Sequence, residues 1–143
     1  MQPPFTLRET SWQEAGEHLR AVREAVFMRE QGVPEELEWD GLDQHCVHLL
    51  AETGQGEAIG TVRLLADGHI GRMAVLREWR GKGVGTALLQ RITEIAKDSG
   101  LERVMLNAQT AALGFYERAG FTASGNEFMD AGIPHYHMER ALR

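Results

Sequence analysis

The stretch Arg80-Gly81-Lys82-Gly83-Val84-Gly85-Thr86 packs three glycines and two cations into seven residues. It lies between His69–Val75, which reads as a strand, and Val84–Lys97, whose apolar residues recur at helical spacing. A strand that runs into a glycine-spaced turn and then a helix aims several backbone N–H groups at one point. The helix N-terminus adds a partial positive charge there, so the chemistry on offer is binding of a phosphate or pyrophosphate. Glycine spacing narrows the choice. A dinucleotide fingerprint would need glycine at the Thr86 position, and a Walker A loop would need its lysine after the last glycine, whereas Lys82 precedes Gly83. The pattern present is Arg-x-x-Gly-x-Gly, met by Arg80, Gly83 and Gly85.

Other reactive side chains are sparser. His135-Tyr136-His137 places two imidazoles on one face of a strand, a chelating arrangement, but no third ligand is set by motif and no metal is expected. Cys46 stands alone beside His45 and reads as a small core residue rather than a nucleophile. A single cysteine forms no internal disulfide, which fits a reducing, cytoplasmic setting.

The elements that must position the loop follow from periodicity and turn chemistry. Phe5–Arg8 is a short strand, and Ser11 with Glu14 forms a capping box opening an amphipathic helix to about Arg29. Gly32 and Pro34 end that helix, and residues 33–45 read as a loop with room for a short helical turn. Cys46–Glu52 and Glu57–Leu65 pair as a hairpin around Gly54-Gln55-Gly56, and Asp67-Gly68 turns the chain into the His69 strand. After the loop helix, closed by Ser99-Gly100, come a buried strand at Val104–Leu106, a helix at Ala111–Ala119 and strands at Phe121–Ser124 and His135–Leu142. The order predicts an α/β (α+β) sheet with helices on both faces, within one domain spanning residues 1–143. The strands before and after the loop helix should be parallel neighbours. If they diverge there, their exposed backbone groups suit a linear, amide-bearing ligand.

Charge and hydropathy exclude several classes. The 143 residues carry a net charge of −6, with no basic stripe or aromatic–basic interleaving, so no nucleic-acid partner is expected. No apolar run approaches the roughly 20 residues of a membrane span, and Met1–Thr6 lacks the features of a secretory leader. Between Glu30 and Val62 lie eight carboxylates and no Lys or Arg. That segment is either a solvated loop or an acidic wall drawing a cationic acceptor to the site.

Further motifs join the loop in order. Val104-Met-Leu-Asn107-Ala-Gln109 is followed by Gly114-Phe115-Tyr116-Glu-Arg-Ala-Gly120-Phe121. Upstream stand Val26-Phe-Met-Arg-Glu-Gln31-Gly-Val-Pro34 and Trp39-Asp40-Gly-Leu-Asp43, and downstream Glu127-Phe-Met-Asp-Ala-Gly-Ile-Pro134-His135. This ordered set, covering nearly the whole chain, resembles the GNAT superfamily of N-acetyltransferases, in its YjcF/ElaA-like branch. The resemblance implies a mixed central sheet with splayed parallel strands and acetyl-coenzyme A as co-substrate. Its pyrophosphate would rest on Arg80, Gly81, Lys82, Gly83, Val84, Gly85 and Thr86, with Arg80 and Lys82 adding attraction at the rim. Its body would lie along Met73, Ala74 and Val75, with Asn107 at the splay and Phe115 and Tyr116 close by.

The implied reaction is acetyl transfer to a primary amine on a small molecule or peptide, by direct attack in a ternary complex. Tyr116 matches the position that protonates the departing thiolate. Glu30 and His135 are candidates for the base that deprotonates the amine, with His48 a further rival. The alternative is a catalytically silent acyl-coenzyme A sensor or regulatory module. A homodimer is the base-rate assembly.

Overall fold

The computed structural model describes residues 4–143; Met1, Gln2 and Pro3, part of the segment read as lacking a leader, lie outside the described residues. Strand β1 (Phe5–Thr10) leads into helix α1 (Trp12–Arg23), whose N-cap Ser11 accepts a hydrogen bond from the Glu14 N–H as the capping box predicts. The helix does not simply stop near Arg29. It continues to Glu30 as a seven-residue π-helix over Glu24–Glu30, a winding that apolar periodicity does not distinguish. Residues 33–45, read as a loop, contain the single-turn helix α2 (Glu35–Glu38) and a 3-10 turn at Asp43–His45.

Strands β2 (Val47–Thr53), β3 (Ala58–Leu64) and β4 (Ile70–Val75) join β1 in an antiparallel sheet of order β1-β2-β3-β4. On one face helix α1 packs Leu19 on Leu50 and sets Val22 against Ala74, where Val26 of the π-helix joins it. Helix α3 (Val84–Asp98) covers the other face, its fully buried Val84, Leu88 and Ile92 meeting Leu49, Val62 and Leu64. The core is therefore a sheet held between two amphipathic helices.

The second sheet, of order β5-β7-β6, contains β5 (Arg103–Gln109), β6 (Thr122–Asp130) and β7 (Ile133–Ala141). Helix α4 (Leu113–Arg118) sits between β5 and β6 after a 3-10 turn, shorter than the Ala111–Ala119 helix expected. Strand β6 runs six residues further than Phe121–Ser124 suggested. Its exposed, mixed sequence has no alternation to read, and pairing with β7 rather than local patterning extends it.

The parallel neighbours expected on either side of α3 meet at a single point. The Met105 N–H donates to the Gly68 carbonyl at 3.0 Å, beside a parallel bridge between His69 and Met105. Glycine is required there: at φ +101°, a Cβ on Gly68 would lie 2.7 Å from the Arg103 carbonyl oxygen. Beyond this stitch, β4 pairs only with β3 and β5 only with β7 among the described strands. A register shift opposite Thr61–Arg63, with Arg72 at φ +51°, bends β4 as it leaves. The two sheets open from one bridge into a V.

Candidate functional site

The V is a cleft of about 730 Å³. Met73, Ala74 and Val75 line one wall, Asn107 and Gln109 the other, and Phe115 and Tyr116 contribute from α4. The glycine loop closes one end, where Arg80, Gly81, Gly83, Val84, Gly85 and Thr86 all border the same space. Gly81 and Gly83 have φ of +76° and +85°, and Gly83 is the α3 N-cap. Side chains at either position would strain a backbone that now presents the free N–H groups of the first helical turn. A Cβ on either residue would meet nothing within 4 Å, so open space lies over the loop.

Both cations of the loop make contacts within the protein. The Arg80 Nε donates to the Val75 carbonyl at 3.0 Å, and its two terminal nitrogens fork onto both Glu30 carboxylate oxygens at 2.6 and 2.7 Å. Lys82 Nζ rests 5.3 Å from the centre of the Trp79 ring, a cation–π contact. Arg80 thus ties the end of β4 to the end of the π-helix, a pairing across 50 residues of sequence. The hydrogen bonds from Arg80 hold the Glu30 carboxyl below the ordinary carboxylate range against a smaller opposing effect of burial.

Tyr116 is half-buried, with its ring edge-on to Phe115 (5.1 Å) and Phe121 (6.2 Å). Burial pushes its hydroxyl up to about 12, so it stays protonated throughout the neutral range. His135 lines the cleft from β7 and stacks on Phe128 at 5.9 Å. Its Nδ1 lies 2.7 Å from the Ile133 carbonyl. A carbonyl only accepts, so in the neutral ring Nδ1 carries the proton and Nε2 the lone pair.

The other candidates are engaged elsewhere. His48 is buried under α1, with Nε2 2.9 Å from the Asp43 carbonyl, and burial pulls its pKa down. His137 Nδ1 lies 3.3 Å from the Asn107 amide oxygen. The Cys46 thiol donates to the Leu42 carbonyl at 3.2 Å, and burial pushes its pKa up. Among the described residues, no group of three or more His, Cys, Asp or Glu side chains is placed to hold a metal ion.

The acidic segment divides: Glu35, Glu36 and Glu57 are exposed, as in a solvated loop, whereas Glu38 and Asp43 are buried and the Asp40 side chain is 28% exposed, and these three turn towards guanidinium groups. Arg23 donates to Glu38 at 2.7 Å and Asp43 at 2.6 Å; Arg63 pairs with Asp40 and Asp43; Arg72 reaches Glu38 and Asp40. These arginines come from α1, β3 and β4, outside the segment, so its charge run gave no sign of them. Burial raises the Glu38 carboxyl, and its arginines do not fully offset this. Burial also raises Asp43, but the bonds and charge of Arg23 and Arg63 outweigh it and the net direction is down. Hydrogen bonding by Arg63 lowers Asp40 strongly.

A depressed aspartate contributes stability above its unfolded pKa, near 3.9, and loses it as pH falls through its folded value. The melting temperature should therefore hold from neutral pH to about 4 and fall below that. In Asp40→Asn the starting value should be lower and the acid drop shallower. Parallel melting curves of the two proteins between these limits measure both effects.

One further pair had no sequence signal. Gln109 Nε2 donates to the Gln31 Oε1 at 3.0 Å, joining the end of the π-helix to the end of β5 across one side of the cleft. Only the shared placement of Gln31 and Gln109 at the ends of predicted elements could have hinted at it.

The family model for the acetyltransferase (GNAT) domain matches residues 9–142. The chain belongs to the GNAT acetyltransferase family. It is similar to a Bacillus subtilis protein named as the uncharacterized N-acetyltransferase YjcF, 40% identical over 121 residues, covering 82% of this chain and 86% of the other. A crystal structure of an acyl-CoA N-acyltransferase from Pseudomonas aeruginosa is 32% identical with a TM-score of 0.82, covering 96% and 98% of the two chains. Escherichia coli ElaA is 27% identical with a TM-score of 0.85, covering 95% and 99%. The splayed sheets are thus the GNAT fold in its YjcF/ElaA-like branch, and the chain is an N-acetyltransferase.

Proposed function

We propose that this GNAT domain, residues 1–143, moves an acetyl group from acetyl-coenzyme A to a primary amine by direct attack in a ternary complex. The observation that carries this reading is the seam. Unpaired edges of β4 and β5 open from one bridge onto a glycine loop, with the protonated Tyr116 hydroxyl beside them. A linear diamide thioester suits such a seam, since it pairs with strand edges through its amides while its pyrophosphate meets the α3 N-terminus. Met73, Ala74, Val75 and Asn107 would flank its arm, and Arg80 to Thr86 its phosphates. When bound, it supplies an activated acetyl carbonyl.

Two residues carry the proton movements. Tyr116 faces the departing sulfur as a hydrogen-bond donor. With a pKa of about 12 it is a weaker acid than a thiol, near 8.5, so stabilising the thiolate is its main work rather than full proton transfer. His135 Nε2, whose lone pair is left free by the Nδ1 bond to the Ile133 carbonyl, takes the ammonium proton. Glu30 serves as the brace for Arg80, because both its oxygens are held and its basicity is lowered.

His135→Gln should lower kcat/KM by about 10²-fold. Glu30→Gln should lower it far less. A loss of that size in Glu30→Gln with none in His135→Gln reverses the assignment. Free coenzyme A released on mixing acetyl-coenzyme A with an amine panel tests the reaction itself. Binding of acetyl-coenzyme A without release across the panel would favour a sensor module. Cytoplasmic residence is our reading of the lone, unpaired Cys46.

A further inference from the structure

On the α1 side of the cleft, between the acidic segment and β4, lies a pocket whose polar groups are nearly all spent on one another. Arg23, Arg63 and Arg72 face Glu38, Asp40 and Asp43, three guanidiniums against three carboxylates. No carboxylate of this cluster is left over for a cationic amine. The unspent group is a donor. Arg63 is 4% exposed, its terminal nitrogens bond to Asp40 and Asp43, and its Nε–H has no hydrogen-bond partner. A buried donor without a partner is costly, and sites that match such a donor to a substrate oxygen discriminate strongly against analogues lacking it.

The open space nearest that donor lies over Gly71. Gly71 pairs with Arg63 across β3 and β4, and both residues line the cleft. A Cβ built on Gly71 would meet only the Arg63 Nε, 4.0 Å away. The next residue, Arg72, reaches the segment through contacts of 3.2–3.4 Å and keeps 26% of its side chain exposed. Phe27, Val33 and Leu37 supply apolar walls. The pocket is an apolar slot with a glycine floor and arginine at its base.

We infer that this slot binds an oxygen acceptor, a carboxylate or carbonyl, on the far end of the acceptor amine, and that the enzyme selects amines bearing such a group over plain alkylamines and polyamines. The inference rests on the amine-transferase reading for its context, but it concerns binding and is testable apart from turnover. Arg63 is too deeply embedded in the ion network for substitution to report on binding alone. Gly71→Ala serves instead, because its φ is not left-handed and the added methyl enters open space.

The experiment is calorimetric titration of the protein saturated with coenzyme A, using γ-aminobutyrate, γ-aminobutyramide, n-butylamine and putrescine. A second comparison, ε-aminocaproate against n-hexylamine, controls for length. The oxygen-bearing amines should bind about tenfold more tightly than the matched alkylamine, with putrescine weakest. Whether carboxylate or amide leads tells charge from hydrogen bonding. Gly71→Ala should remove most of the preference while leaving coenzyme A affinity unchanged. Equal binding by n-butylamine or putrescine, or a preference that survives Gly71→Ala, overturns the inference. Coenzyme A release with the same amines separates the two readings. Selective binding without turnover keeps the slot and removes the transferase mechanism, whereas unselective turnover keeps the mechanism and removes the slot.

Discussion

Arg23→Ala should destabilise the fold by about 3–5 kcal/mol, the usual cost of removing one partner from a buried ion pair. Arg23 is 1% exposed and is the only residue bonded directly to both Glu38 and Asp43 among the described contacts. Its removal leaves two buried carboxylates short of a partner. Its guanidinium also lies 4.9 Å from the Trp39 ring centre and 5.5 Å from that of Trp12, so the segment loses a packing surface too. For a domain of this size the loss corresponds to a drop of roughly 10 °C in Tm. Chemical denaturation with a shared m-value measures it. A loss below about 1 kcal/mol would mean the network behaves like a surface ion pair. Replacing all six members, Arg23, Arg63, Arg72, Glu38, Asp40 and Asp43, by apolar residues of similar volume should recover part of the stability, since no orphaned charge then remains.

The second large effect is chemical. Tyr116→Phe keeps the ring and its edge-on packing with Phe115 and Phe121 and removes only the hydroxyl. Stability should stay within about 1 kcal/mol, because the hydroxyl has no protein partner among the described hydrogen bonds. Turnover should fall by about 10²-fold, the range for losing one donor aimed at developing negative charge. The effect should appear in kcat with little change in the acetyl-coenzyme A KM, as for an interaction made mainly in the transition state. It should also be uniform across neutral pH, since a hydroxyl with a pKa of about 12 does not titrate there. An unchanged kcat removes Tyr116 from the chemistry and leaves it a wall of the cleft.

These two residues mark what was legible in the chain. Tyr116 stands in an ordered run of motifs, and the loop at Gly83 is written in glycines that only a left-handed backbone requires. Both signals are local, so composition and spacing reveal them. Arg23 looks like one more polar residue on an amphipathic helix, because the partners that turn it inward lie 15 and 20 residues away, in the short helical turns of residues 33–45. The Glu30–Arg80 fork spans 50 residues, so nothing local in the chain announced that these two candidates bond to each other. The acidic run was visible as charge, but which way each carboxylate points depends on arginines from three other elements. The π-helical winding of Glu24–Glu30 was hidden for another reason: its apolar residues satisfy either winding.

The single stitch between Gly68 and Met105 also bears on how the open strand edges meet other chains. A strand edge with free N–H and C=O groups is a template on which another chain can pair and begin to aggregate. Here β4 and β5 turn two such edges towards each other across a narrow gap, closed on one side by the Gln31–Gln109 amides. A slender ligand can enter where a whole strand with side chains would be crowded out. The outer edge of β6 lacks that shelter and is defended differently. Its register shifts between Ser124 and Phe128, and Gly125 adopts φ +76°, breaking the straight run a partner strand would need. The geometry that opens a binding cleft also turns two free strand edges away from other chains.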